Sequence, residues 1–317
     1  MPITRRAAVA ALALPWLARA QDKSLRMLVG YPPGGAVDVV AREVAEGMRA
    51  SGYNVLVDNK TGASGRLATA QLLQAPADGQ TLICMPGGNA TIFPHVYNNL
   101  GHDPLTKLKP LGTACSFSFG LGAGPGTPAR TLKEFVDWAR ANPGKAAYGT
   151  PGGGTAMHFL GVMFGRAAGI DLVHVPYKGG AQAITDVIGG QVPTLLTTLP
   201  NLIGPHQQGK VRVLAFSGER PLATLPGVPT FAEAGYPQLT LSEVFAFFMR
   251  SEVPAAASEP LVVALARAAQ SERVVQALRK LEFEPLVLSP AELSARLKTE
   301  SANWRRVVAE SGYKVTD

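Results

Sequence analysis

Backbone amides, more than side chains, are the chemistry this chain has to offer. Two stretches carry them, Tyr31-Pro32-Pro33-Gly34-Gly35-Ala36-Val37-Asp38 and Tyr148-Gly149-Thr150-Pro151-Gly152-Gly153-Gly154-Thr155-Ala156-Met157-His158. Each follows a short apolar run and opens a helical pattern. A glycine turn lets backbone approach a ligand without a Cβ in the way, and the helix behind it presents unpaired N–H groups and a partial positive charge. Together these make an anion site. Gly34-Gly35 alone also reads as an ordinary tight turn. Two such turns more than a hundred residues apart predict two lobes that clamp one anionic molecule.

Covalent chemistry has no comparable support. There is no Gly-x-Ser-x-Gly elbow, His-Glu-x-x-His, phosphate loop or dinucleotide fingerprint. No spacing joins Cys84 or Ser64 to His158 as a nucleophile pair. Cys84 and Cys115 lack the histidine pattern of a zinc site. An exported location permits a bridge between them, while their apolar surroundings suit buried free thiols.

The elements that position the turns alternate between strand and helix. Residues 24–30 read as a strand, and Val39, Val40, Val44 and Met48 share one helical face ended by Gly52. Strand patterns follow at 53–58 and 81–85, with a helix over 66–74 between them and a third glycine turn, Pro86-Gly87-Gly88-Asn89, at the end. This β-α-β-α-β order implies a parallel sheet, with ligands beyond the carboxyl ends of its strands. Residues 146–148 begin a second round: helix 155–169, strand 172–175, helix 181–188, and strands 192–197 and 211–216. The β-like runs 114–121 and 239–249 read as crossings between lobes. The tail has helical periodicity and a late helix over 290–312. This divides the chain into residues 21–120 as lobe one, 121–243 as lobe two, and 244–317 as the return to lobe one with C-terminal helices.

Composition bounds the function. At 317 residues, 46% hydrophobic and 17% charged, the chain is globular and long enough for two domains. Residues 1–20 read as a secretory leader, with Arg5-Arg6, an apolar run over 7–14 and Ala18-Arg19-Ala20 before cleavage at Gln21; the arginine pair allows twin-arginine as well as general export. Removing the leader arginines takes the net charge from +7 to +4. That charge is dispersed, which excludes a nucleic-acid stripe. No run is long enough to span a bilayer.

In order and spacing these motifs resemble the substrate-binding proteins of the tripartite tricarboxylate transporters, the Bordetella-uptake-gene (Bug) family. The resemblance rests on residues 31–42, on Asp58-Asn59-Lys60-Thr61-Gly62-Ala63-Ser64-Gly65, on Ala77-Asp78-Gly79, on the turn at 148–155 with His158, on 173–179, on 186–192 and on 225–235. It covers nearly the whole mature chain. It implies an α/β, bilobed type II periplasmic-binding-protein fold, two α/β domains joined by two crossing strands. It further implies a monomeric periplasmic receptor without cofactor or catalysis, which delivers a mono-, di- or tricarboxylate to membrane permease subunits. A ligand sensor and an exported enzyme on the same scaffold are the alternatives.

In the family, turns matching 33–36 and 150–155 clasp a carboxylate through backbone N–H groups and ordered water. Carried over, Gly34, Gly35 and Ala36, with Tyr31, hold one end of the ligand, and Thr150, Gly153, Gly154 and Thr155 the other. Asp38 serves a ligand cation or the first turn of its own helix. Thr155 serves as N-cap or ligand contact, and His158 as a structural group or a cleft residue. Asn89 and Tyr177 are candidate lining residues, whereas Lys178 and the aromatics at 245–248 read first as surface and core. Thr197 stands where the family commonly has aspartate, and Val244 where it has an aromatic. Arg66 departs from the usual Asn-Ile-Gly after Ser64-Gly65, as a second carboxylate contact or a solvated charge.

Overall fold

The computed structural model describes residues 23–315. The leader predicted over residues 1–20 lies outside the described residues. The first half contains β1 (Lys23–Val29), α1 (Ala36–Met48), β2 (Tyr53–Asn59), α2 (Arg66–Gln74), β3 (Thr81–Pro86) and three short helices, α3 (Gly88–Thr91), α4 (Phe93–Val96) and α5 (Pro104–Lys107). β4 (Leu108–Ala123) leads into α6 (Leu132–Ala141), β5 (Ala147–Thr150), α7 (Ala156–Ala168), β6 (Val173–Pro176) and α8 (Gly180–Ile188). Then come β7 (Thr194–Thr198), α9 (Pro200–Gln207) and β8 (Arg212–Phe216). β9 (Ser242–Arg250), α10 (Ala255–Gln270), α11 (Glu272–Lys280), β10 (Glu284–Pro285) and α12 (Pro290–Ser311) complete the chain.

The strands run in the order β2-β1-β3-β9-β4-β7-β5-β6, with β8 and β10 also paired to β4. β1, β2 and β3 are parallel, as are β5, β6 and β7. β4 and β9 run antiparallel to their neighbours and join the two parallel sets. Residues 108–118 of β4 pair with β9, and Phe119–Ala123 pair with β7. A single strand thus serves both α/β halves, and register shifts bend it near Gly112, Cys115 and Gly122. The bilobed α/β class is the one the motifs implied.

Local chemistry sets the helix ends. The Thr131 hydroxyl accepts from the Glu134 N–H at the start of α6. Ser289 and Glu292 form a reciprocal capping box at the start of α12, and Gly312 closes that helix in a left-handed conformation. α12 packs on α3 and α4 from one half and α7 from the other.

Three readings need correction. The aromatic run predicted as a strand from 239 begins pairing at Ser242, because Pro237–Leu239 form a 3₁₀ turn. α9 and the helices from α3 to α5 were not predicted: Pro200, Gly204 and Pro205 interrupt the α9 pattern, and the others are only four residues long. The Cys84–Cys115 bridge left open above is absent and both thiols are free. β9 runs between their strands, so the backbones are about 10 Å apart, beyond disulfide reach.

Candidate ligand-binding site

The two glycine turns line one cavity of about 50 Å³. Tyr31, Pro32, Gly35, Ala36 and Val37 line it from the first turn, and Pro151, Thr155 and Met157 from the second. Pro86 adds the end of β3, and Phe117 and Phe245 from the joining strands form an apolar wall, their rings stacked 4.3 Å apart. Gly180 and Ala181 bring the start of α8, and Thr198 and Asn201 the start of α9. No lining side chain is charged. Helix starts carry orphan N–H groups and the positive ends of helix dipoles, so the field at the cavity favours an anion although its walls are apolar.

The halves touch across this cavity. The Ser64 hydroxyl donates to the Gly153 carbonyl at 3.2 Å. A Cβ on Gly179 would meet Pro32 at 2.9 Å. The space between the halves holds only a few water-sized groups in this arrangement.

Several predicted contacts are engaged elsewhere. Gly34 adopts φ +78° and donates its N–H to Asp38 Oδ2 at 2.9 Å. Asp38, 2% exposed, also accepts from Arg42 at 2.9 Å through both oxygens and from Asn59 at 2.8 Å. Burial alone would raise this carboxyl; the bonds from Arg42, Gly34 and Asn59 outweigh it and hold it below its ordinary value. Asp38 therefore shapes the turn and does not line the cavity. Asp38→Asn is expected to cost about 2 kcal/mol by weakening charged hydrogen bonds. Because the folded pKa is depressed, this contribution is present above the ordinary value of 3.8 and disappears as pH falls through the folded value. Denaturant titrations of variant and wild type should therefore converge in acid.

On the second turn, Gly154 donates its N–H to His158 Nδ1 at 3.2 Å. Thr150 donates to the Gly152 carbonyl at 3.0 Å, so its oxygen accepts from His174 Nε2 at 2.7 Å. The rings of His158 and His174 stack 3.9 Å apart beneath the turn, with Tyr313 edge-on to His158. Burial lowers His158 to about 4 and, with the His158 charge, lowers His174 to about 3. Both rings are neutral struts. Thr155 occupies the N-cap position of α7, but its hydroxyl donates to the Gly152 carbonyl at 2.8 Å and makes no capping bond.

The remaining candidates lie behind the wall. Asn89 donates to the Ser64 carbonyl at 3.2 Å and accepts from the Tyr31 hydroxyl at 3.4 Å. The Tyr177 hydroxyl donates to Asp186 at 2.9 Å. Thr197 is buried beside Asn201. The Arg66 guanidinium lies over the Tyr97 ring at 3.9 Å and does not line the cavity. Of the predicted residues, Tyr31, Gly35, Ala36 and Thr155 reach the wall. Phe117, Met157, Gly180, Ala181, Thr198, Asn201 and Phe245 were missed. Strand-end position was the available signal for Thr198 and Asn201, since β7 ends there as β1 ends at the first turn.

The family description "tripartite tricarboxylate transporter family receptor" matches residues 40–313. The chain belongs to this receptor family. It is 30% identical over 312 residues to the "UPF0065 protein in gbd 5'region" of Cupriavidus necator, covering 96% of this chain and 93% of that one. It is 29% identical over 299 residues to protein BugT of Bordetella pertussis, covering 92% of this chain and 90% of BugT. Among solved structures, the receptor superposes on the periplasmic binding protein BugD with TM-score 0.86 at 29% identity, over 92% of this chain and 98% of BugD. The R. palustris protein Rpa4515, solved with adipate, gives the same TM-score at 26% identity and the same coverage of both chains. The receptor's fold is that of the periplasmic solute-binding proteins in this family.

Proposed function

We propose that the protein captures a small organic carboxylate between its halves and hands the closed form to the permease subunits of a tripartite tricarboxylate-type transporter. The observation that carries this reading is the convergence of the α1 and α7 starts on one cavity without a charged lining side chain. A carboxylate there is held by backbone amides. Its hydrocarbon body meets Phe117, Phe245, Val37 and Met157. The adipate on the related R. palustris protein supports the ligand class, and the family description supports the permease partner. Binding and release by hinge closure make and break no covalent bond. Export with cleavage after Ala20 belongs to the same reading.

The test is thermal stabilisation across mono-, di- and tricarboxylates, with amines and sugars as controls. A carboxylate at about 100 times its dissociation constant should add about 2.7 kcal/mol. A panel in which no carboxylate raises the transition, with a sugar or amine doing so instead, overturns the assignment. Mass spectrometry of ligand released from the purified protein identifies the natural solute.

A further inference from the structure

Four polar side chains line the cavity between the halves: Tyr31, Thr155, Thr198 and Asn201. Two of them have acceptors within the protein for their single hydrogens. The Tyr31 hydroxyl lies 3.1 Å from the Ser64 carbonyl and 3.4 Å from Asn89 Oδ1. The Thr155 hydroxyl donates to the Gly152 carbonyl at 2.8 Å. Asn201 differs. Its Nδ2 lies 3.5 Å from Thr197 Oγ1 and 3.4 Å from Thr198 Oγ1, at the long limit of hydrogen bonding. Among the described residues its side chain makes no other hydrogen bond. The amide oxygen has no protein donor, and the N–H groups are held only weakly.

The fold fixes where this amide stands. β7 ends at Thr198, and α9 opens on Pro200, which has no N–H to give. Leu202 gives its N–H to the Leu199 carbonyl at 2.9 Å. α9 thus offers the cavity fewer backbone donors than α1 or α7, and the Asn201 side chain stands in their place. From the α8 side, a Cβ on Gly180 would lie 3.3 Å from both Asn201 Nδ2 and Thr197 Oγ1. Glycine there lets the amide pack closely against the start of α8.

These surroundings choose among ligand groups. No lining side chain is charged, so an ammonium would lack a counter-ion and would face the positive ends of helices. An alkyl group would leave the amide oxygen without a donor. A hydroxyl donates to that oxygen and accepts from the N–H groups. A space of about 50 Å³ keeps the chain short. On the carboxylate reading above, we propose that Asn201 is the specificity-determining residue of this cavity, hydrogen-bonded to a hydroxyl on a short carboxylate whose acid group lies on the α1 and α7 starts.

The probes are butyrate and its 2-, 3- and 4-hydroxy derivatives, titrated calorimetrically at pH 7 into the full chain. The three isomers place the hydroxyl at different distances from the acid group. At least one should bind wild type about ten-fold more tightly than butyrate, the value of one neutral hydrogen bond. In Asn201→Leu the ratio between that isomer and butyrate should fall to about one. Asn201→Ala removes the amide without adding bulk and serves if the leucine variant fails to fold. A purely structural role for Asn201 would weaken both acids alike and preserve the ratio. Butyrate binding as tightly as every isomer, or a ratio unchanged in the folded variants, overturns the assignment of Asn201 and leaves the carboxylate reading standing. Absence of binding by all four acids overturns it as well, and the carboxylate reading falls with it only if the wider carboxylate panel is also silent.

Discussion

Gly152→Val is expected to abolish ligand-induced stabilisation while leaving the free protein folded. A Cβ at Gly152 would stand 2.5 Å from Ser64 Oγ and 3.1 Å from Ser64 Cβ, across the contact between halves. Rotating the serine hydroxyl relieves the first clash but not the second. Gly152 does not sit at positive φ, so valine brings no backbone strain of that kind. When the halves part, the obstruction vanishes, so the cost falls on closure. A wild-type shift of about 2.7 kcal/mol at about 100 times the dissociation constant should shrink to near zero. Ser64→Gly removes both obstructing atoms. It also suits the backbone, since Ser64 has φ +56°. The double variant should therefore recover the shift. Full ligand stabilisation in Gly152→Val alone would mean that binding does not require this contact.

The second large effect is acid sensitivity from the stacked histidines. With folded values of about 4 and 3, His158 and His174 stay neutral over a range where an unfolded chain protonates them near 6.5. The unfolded state then binds more protons, so stability falls as pH drops below about 6.5. From pH 7 to pH 5 the pair should cost about 3.5 kcal/mol, because each tenfold rise in proton concentration favours a protonated imidazole by about 1.4 kcal/mol. Glu243 acts in the opposite sense. Its carboxyl, raised to about 8, is protonated in the folded state and ionised in the unfolded one between about 4.5 and 8, and it returns about 2.5 kcal/mol over the same interval.

Wild type therefore shows only part of the histidine loss, and the informative quantity is a difference between proteins. His158→Asn keeps an acceptor for the Gly154 N–H, and His174→Gln keeps a donor for Thr150. Each should flatten the pH 7 to 5 slope by about 1.8 kcal/mol, and together by about 3.5. His95 and His102, also depressed by burial, remain in every variant and cancel. Denaturant titrations at the two pH values measure this directly. Equal slopes in wild type and double variant would show that the rings ionise as they do in water.

Much of this architecture is written locally. Thr131 before 132–141, Ser289 with Glu292 before 290–311 and Gly312 after it mark helix ends because their side chains or backbone angles satisfy groups a few residues away. Alternation of strand and helix sufficed for two parallel sets, and two glycine turns at strand ends sufficed to locate a shared cavity. Both turns do meet at one cavity.

The composition of the wall was not local information. Gly34 and Gly154 look like the free donors of their turns, yet Asp38 and His158, each four residues on, take those N–H groups. Phe117 and Phe245 look like ordinary strand core. They become a cavity wall only because β4 and β9, more than a hundred residues apart, pair through Cys115 and Phe245 and bring the two rings together. The chain by itself determined which backbone is free to bend toward a ligand, since glycine's missing Cβ and a helix's unpaired amides are properties of short segments. Tertiary structure alone decided which amides stay unoccupied and which side chains line the cavity, because hydrogen bonds and packing between distant segments assign those partners.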